Sequence, residues 1–467
     1  NTTNKISLRY IQLDSKSDNP ISTSSSLGFG GRRDNLNSMS FSNSGYAILE
    51  NIRSIVGEVN SVIGNNMSNN LIVGYTSNDE SREPKGTFFP LIDVLKDGVA
   101  YMSFGFEPFT PNNQLRYNTL QLQNNFSIYT TDHDLTFGVA AQRYRSENVF
   151  FPGSQSVYIY NSLADFFTDA QGYIANPNRT TSPVSLRRFQ VRYNNIPGQK
   201  EPLQPLEVIY AGAYAQDEWR VTDRFKMTLG LRFDVPSFKE TGFTNPQANA
   251  LTFRDENGAA AKYQTQKLPD ANILFSPRLG INWDVFGDRS TQVRGGTGIF
   301  TGSPPYVWIS NQIGQNGILT GFSEINNTTT RPFNPNPDTY KPTSVTGAPA
   351  SSYELNFTNP DYKFPQLWRT NLAVDQKLPY GFTGTLEFLY GKDVNGAYYI
   401  NANLPAAQSS FTGPDTRKRW TSNRVNPNIT AAYVLKNQDV GYSYNITASL
   451  ERAFQNGFFV KGGYNYG

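Results

Sequence analysis

The sequence predicts an all-β chain, and three observations carry that prediction. First, residues 225–234 alternate strictly: Phe225, Met227, Leu229, Leu231 and Phe233 share one parity, and Lys226, Thr228, Gly230, Arg232 and Asp234 the other. A period of two gives a strand one apolar and one polar face. Second, this pattern recurs as strand, tight turn, strand. Third, the paired strands are separated by long polar connections. Such connections are uncommon in compact soluble domains, whereas outer-membrane barrels join their strands by short periplasmic turns and long extracellular loops. The predicted architecture is a transmembrane antiparallel β-barrel, present in part.

Taken in order, a strand is expected near 5–14 and another over YAILENIRSIVGEVNSVI (46–63). In that second segment Ile48, Leu49, Ile52, Ile55, Val56, Val59, Val62 and Ile63 follow helical spacing. The up-and-down count of hairpins requires a strand there, and parity is given precedence. Turns follow at NNMSNN (65–70), TDHD (131–134), Thr222-Asp223, GDRS (287–290), PYG (379–381) and QNG (455–457). Gly, Asn, Asp and Pro supply the backbone angles of tight hairpins. The long connections run over 80–113, 147–205, 236–272, 303–365 and 393–430, with a short helix expected at SLADFF (162–167). The count reaches about thirteen strands. The stretch 224–235 exceeds the roughly 9–11 residues that cross a bilayer as a tilted strand.

Composition agrees. Of 467 residues, 37% are hydrophobic and 17% charged, both below ordinary globular values. Aromatic and uncharged polar residues fill the difference, which suits strands with one greasy and one wet face. The net charge of +3 argues for no nucleic-acid partner. With no cysteine and one histidine, His133, thiolate chemistry and a multi-histidine zinc site within this chain are excluded. No run of 18 apolar residues forms a spanning helix. The first residues, NTTNKISLRYIQLD, do not read as a signal peptide. The sequence reads as part of a longer chain, starting almost inside one strand and stopping inside another.

Charges gather on the polar parity: Lys226, Arg232, Asp234, Arg278, Asp284, Arg294, Arg369, Asp375, Lys377 and Glu387. These are the expected lumen-facing residues. Aromatics near strand ends, Trp219, Phe233, Trp283, Phe286, Phe382, Tyr390 and Phe458, suit the girdles at the two membrane interfaces. A soluble propeller or sandwich would share the alternation but have shorter strands and loops.

The segment YAGAYAQDEWRVTDRFKMTLGLRFD (210–234) resembles the barrel hairpin of TonB-dependent outer-membrane receptors. FSPRLGINWDVFGDRSTQVRGGTGIFTGSPPYVWISNQIGQNG (275–317), NPDYKFPQLWRTNLAVDQKLPYGFTGTLEFLYGKDVNGAYYINANL (359–404), FGFEPFTPNN (104–113) and SENVFFPGSQSVYIYNSLADFF (146–167) are similar to the Oar-like branch of that family. The resemblance implies a barrel of 22 strands around an N-terminal plug, set in the outer membrane. It also implies an unidentified solute and energy coupling through the TonB complex. Residues 1–467 would then be part of one barrel domain, with the plug and the C-terminal strands absent, no cofactor and no enzymatic activity. A surface adhesin or assembly scaffold on the same barrel is the alternative, because fold does not fix function.

Other features have plainer readings. Gly295, Gly296 and Gly298 lie within strand alternation and do not form a phosphate loop; they suit close approach of a backbone to the wall. His133 is expected as a solvated turn residue. Tyr306 and Trp308 at a loop base, and Arg417, Lys418, Arg419 and Trp420 in an outer loop, are the candidate ligand contacts.

Overall fold

The computed structural model describes residues 3–33, 36–420 and 424–467. Thirteen long strands form one antiparallel sheet in chain order. They are β1 (Asn4–Asn19), β2 (Tyr46–Ile63), β3 (Met67–Asp79), β4 (Gln114–Tyr129), β5 (His133–Val149), β6 (Leu203–Thr222) and β7 (Phe225–Phe238), followed by β8 (Leu274–Asp284), β9 (Thr291–Thr301), β10 (Gln366–Leu378), β11 (Phe382–Asp393), β12 (Tyr442–Ala453) and β13 (Phe459–Tyr466). A short strand, Arg82–Pro84, adds to the start of β2. Among the described residues β1 pairs only with β2 and β13 only with β12, so the sheet is open.

The register turns sequence parity into two continuous faces. Met227, Ile281, Gly295, Leu372, Phe388 and Ile446 stand on one rung across β7–β12. The next rung, on the opposite face, carries Lys226, Asn282, Arg294, Ala373, Glu387 and Thr447. Large side chains of the apolar face stay uncovered from end to end: Leu8 is 75% exposed, Val139 49%, Leu229 43% and Leu386 58%. An apolar band of that breadth is a lipid-facing surface. On β5 the band runs through Phe137, Val139 and Ala141, then gives way to Arg143, Arg145 and Glu147 on the same parity. Arg143 pairs with Glu207 of β6 at 2.8 Å, which marks the upper edge of the band.

The tight turns are built locally. Gly64 (φ +63°) and Gly457 (φ +83°) take the left-handed conformation that favours glycine. The Thr222 hydroxyl accepts from the Arg224 and Phe225 amides at 3.3 and 3.0 Å, and Asp284 accepts from the Gly287 amide at 3.0 Å. The segment 46–63 is a strand along its whole length. Two turns sit earlier than expected, because β3 already begins at Met67 and β5 at His133. His133 is therefore a strand residue rather than a solvated turn. It stacks on Trp219 with ring centroids 5.5 Å apart, and its Nδ1 lies 2.8 Å from Asp217.

The long connections are folded, which the sequence reading did not foresee. Strands from three of them, Leu91–Lys96, Val99–Phe104, Val157–Tyr160, Leu186–Asn194 and Thr320–Thr328, join Met39–Ser40 of the β1–β2 connection in one six-stranded sheet. Helix α1 (Leu163–Ala175) packs on it, capped by the Ser162 hydroxyl accepting from the Asp165 amide at 3.1 Å. The expected helix at 162–167 is thus real but twice as long. Ile92, Val94, Tyr158, Tyr160, Phe189 and Val191 form the buried core of this unit. A second unit joins Tyr353–Thr358, Gly396–Asn401 and Ile429–Gln438 with α2 (Pro246–Ala250), around Phe253, Phe357 and Val434. A third helix, α3 (Val307–Gly314), places Ile309 and Ile313 against Tyr144, Leu206, Val208 and Leu274 of the wall. Those wall residues lie on the polar-face parity at the upper strand ends. The loops therefore turn inward, over the face opposite the lipid.

A buried ion pair locks the β1–β2 connection to the six-stranded sheet. Arg32 and Asp93 are 0% and 1% exposed, with NH2 to Oδ2 at 2.8 Å. Asp93 also accepts from the Phe29 amide at 2.8 Å and the Ser103 hydroxyl at 2.7 Å.

Two expectations follow for the complete barrel. Leu229→Arg, near the middle of the lipid band, costs roughly 2–4 kcal/mol of folding free energy, and Thr228→Arg on the other face much less. Denaturant titration in lipid vesicles measures both, and equal costs would sink the assignment of faces. Arg32→Met leaves Asp93 charged and unpaired and costs the loop unit about 3–5 kcal/mol. Hydrogen exchange is then faster at residues 91–104 but unchanged in β7–β9; uniform exchange would count against a separately stabilised cap.

Candidate functional site

The candidate site is the polar face of the wall together with the loops folded over it. The alternation of β6–β11 brings all ten lumen candidates, Lys226 to Glu387, onto this one face. Their surroundings differ sharply.

Asp234, at the upper end, is fully buried. Arg232, two residues below on the same strand face, holds it through Nε at 2.9 Å to both oxygens and through NH2 at 2.7 Å. The Arg232 guanidinium also lies 5.2 Å from the centre of the Tyr214 ring on β6. Lower down, Arg294 of β9 donates from Nε to Asp375 of β10 at 2.9 Å and approaches Glu387 of β11 at 3.9 Å. Thr385 donates to the other Asp375 oxygen at 2.7 Å. Each such group is a charge compensated within the wall. Asp284 has a local task, accepting from the Gly287 and Arg289 amides in the β8–β9 turn. Lys226, Arg278, Arg369 and Lys377 make no ion pair among the described residues.

The loop candidates are not brought together. Tyr306 packs its ring 4.5 Å from Tyr144 and 6.1 Å from Phe364, and burial raises the pKa of its hydroxyl. Trp308 meets Tyr399 edge-on at 6.3 Å; burial pushes the Tyr399 hydroxyl up to about 12. Arg417, Lys418 and Arg419 lie on a separate small hairpin, 409–419, with Trp420 directly after it, and all four are exposed. Arg417 is raised by its hydrogen bond to Asp415, at 2.8 Å, while Arg419 stands 5.1 Å from the centre of the Phe411 ring. The Trp420 indole donates to the Pro405 carbonyl at 2.8 Å.

A second sector of the lumen face is built of uncharged polar residues, which a search for charge on the polar parity does not reach. On β2–β6 the same parity carries Asn60, Asn70, Gln121, Gln123, Asn125, Gln142 and Gln216. They form a wall of amides and hydroxyls. Asn70 donates to Glu58 at 2.8 Å and to Asn60 at 2.7 Å, and Tyr214 donates to Asn125. A pocket of about 380 Å³ opens there between Asn60, Asn70, Asn125, Tyr129 and Gln216. Extending the parity rule to uncharged polar residues would have found it. Among the described residues no group of three His, Cys, Asp or Glu could hold a metal ion. The arrangement can line a wet passage and hydrogen-bond a solute.

One face for lipid, one for water and loops folded inward define an outer-membrane barrel wall. A family model described as an outer membrane beta barrel domain matches residues 1–467, and the chain belongs to that family, whose place is the cell outer membrane. No curated protein sequence matches it. Among solved structures it is similar to the outer membrane transporter YddB from Escherichia coli, with 10% identity over 97% of this chain and 43% of that one, at a TM-score of 0.55. The siderophore receptor PirA from Acinetobacter baumannii shares 14% identity over 97% of this chain and 49% of that one, at 0.48. The FrpB iron transporter from Neisseria meningitidis shares 10% over 99% of this chain and 51% of that one, also at 0.48. The chain spans about half the length of these structures or less, and the likeness to YddB is one of fold.

Proposed function

We propose that the chain is part of the barrel of a TonB-dependent outer-membrane receptor of the Oar-like branch, passing a solute inward at the expense of inner-membrane energy. Residues 1–467 supply thirteen of 22 strands of one barrel domain in this reading. A plug and the closing strands come from further chain. The single observation that carries it is the continuous polar face lying beneath inward-folded loops. A wall of that breadth lines a wide lumen, and the loops above it form an entrance. An open sheet edge in lipid leaves backbone groups unpaired, which favours closure by more strands. The coverage of less than half of YddB, itself described as an outer membrane transporter, supports the same reading. The lumen residues contribute solvation and hydrogen bonds rather than catalysis, with the carboxylates Asp234, Asp375 and Glu387 held by arginines. The partners are outer-membrane lipid, the TonB complex through the plug, and a solute captured by loops such as 405–420; no cofactor and no nucleic acid enter.

The test uses the protein from its native host. A heat-modifiable band of about twice 52.2 kDa in the outer-membrane fraction is expected, and the purified protein binds the periplasmic domain of TonB. A heat-modifiable protein with no affinity for TonB would favour the adhesin or scaffold instead.

A further inference from the structure

We propose that Arg278 and Arg369 form an anion-binding rung in the lumen, at which the solute presents a carboxylate or phosphate; this deepens the transport reading and rests on it. The two arginines occupy one rung of the sheet, on either side of Gly298: Arg278 of β8 pairs in register with Gly298 of β9, and Gly298 with Arg369 of β10. Their Cα atoms are two strand spacings apart, roughly 10 Å, a gap that two guanidinium groups can span from both sides of a small anion.

Three features single this rung out. The first is uncompensated charge. Arg232 and Arg294, on nearby rungs, each hold a carboxylate within 2.9 Å. Arg278 and Arg369 make no ion pair among the described residues, and both are exposed to the lumen. On β8, β9 and β10 the rungs directly above and below carry Ser276, Phe300 and Leu367, Gly280, Gly296 and Asn371, and no acid; on β11 the rung above carries Asp393, which makes no ion pair with Arg369. The second is a bare floor. A Cβ at Gly298 would lie 2.9 Å from the Pro277 carbonyl oxygen and 3.1 Å from Arg278 Cγ, so the gap holds no side chain. Gly391 continues the rung beyond Arg369. The third is positioning. The Arg278 guanidinium rests 4.7 Å from the centre of the Phe300 ring, which holds the charge over the wall. Guanidinium groups grip carboxylate and phosphate oxygens through paired N–H donors, and an anion between two of them is recognised by geometry as well as charge.

The full-length protein, folded in detergent and checked by heat-modifiability, is titrated calorimetrically at low salt with citrate and with pyrophosphate as probes. Binding of at least one is expected, and the better probe tells carboxylate from phosphate. Arg278→Gln and Arg369→Gln each weaken it by about tenfold. Arg278→Lys retains part of the affinity, and Arg224→Gln, exposed in the β6–β7 turn, leaves it unchanged. No binding of either probe overturns the proposal, as does binding indifferent to both glutamine variants. If neither anion binds and the double variant melts earlier, an acidic segment of the protein itself fills the rung, and the solute site is refuted. The titration reads binding alone, whereas affinity for TonB reads energy coupling, so either reading can fail without the other.

Discussion

Every backbone N–H and C=O that enters a bilayer must find its partner within the protein. That constraint orders the whole molecule. The eleven inner strands, paired on both sides to their sequence neighbours, satisfy it, and β1 and β13 do so on one side; the pleat then sends alternate side chains to opposite faces. Leu229 and Leu231 reach one face because Thr228 and Arg232 reach the other. The charges go inward for the same reason. An arginine at the lipid midplane is costly, whereas on the lumen face it meets water or a carboxylate.

The hydrophobic core follows an inverted logic. In the wall the apolar side chains remain uncovered for lipid. The largest fully buried ones, such as Ile92, Tyr158, Phe189 and Phe253, belong to the loops. The loops are polar enough to read as linkers, yet they pool short strands from distant connections into sheets with cores of their own. Their inward seat has a local cause: the lumen parity becomes apolar at the upper strand ends, where Tyr144, Leu206, Val208 and Leu274 receive α3. The cap leans on the wall there, and the buried Arg32–Asp93 pair ties its separate connections together.

These physical differences decide what the sequence made readable. Strands β6–β11 were clear because lipid on one side and water on the other impose strict alternation, and the same rule brought all ten charged candidates to one face. Segment 46–63 was harder, since both of its faces carry aliphatics. Val56 turns to the lumen, where with Ile11 and Ile72 it lines a pocket of about 450 Å³, and a strand apolar on both sides mimics helical spacing. The loop sheets left no local signal. Val157 pairs with Leu91 and Arg188 with Asn326, partners remote in sequence, and strands of two to ten residues show little periodicity. The pairing of the charges was equally hidden: parity sends Arg278 and Arg294 to the same face, but only the register gives Arg294 an acid and leaves Arg278 without one.

The central claim is that one parity faces lipid and the other water. Residues 1–467 contain no cysteine, so a single cysteine placed at each position of 228–233 is the only thiol in this part of the protein, and the parent protein serves as the blank. Each is labelled in intact outer membranes with a membrane-impermeant aqueous reagent and, separately, with a fluorophore read by lipid-borne quenchers. Positions 229, 231 and 233 should be shielded from the aqueous reagent and quenched by lipid, and positions 228, 230 and 232 the reverse. Aqueous labelling without alternation, or lipid quenching at neither set, would mean that the apolar face packs on protein and would contradict the account.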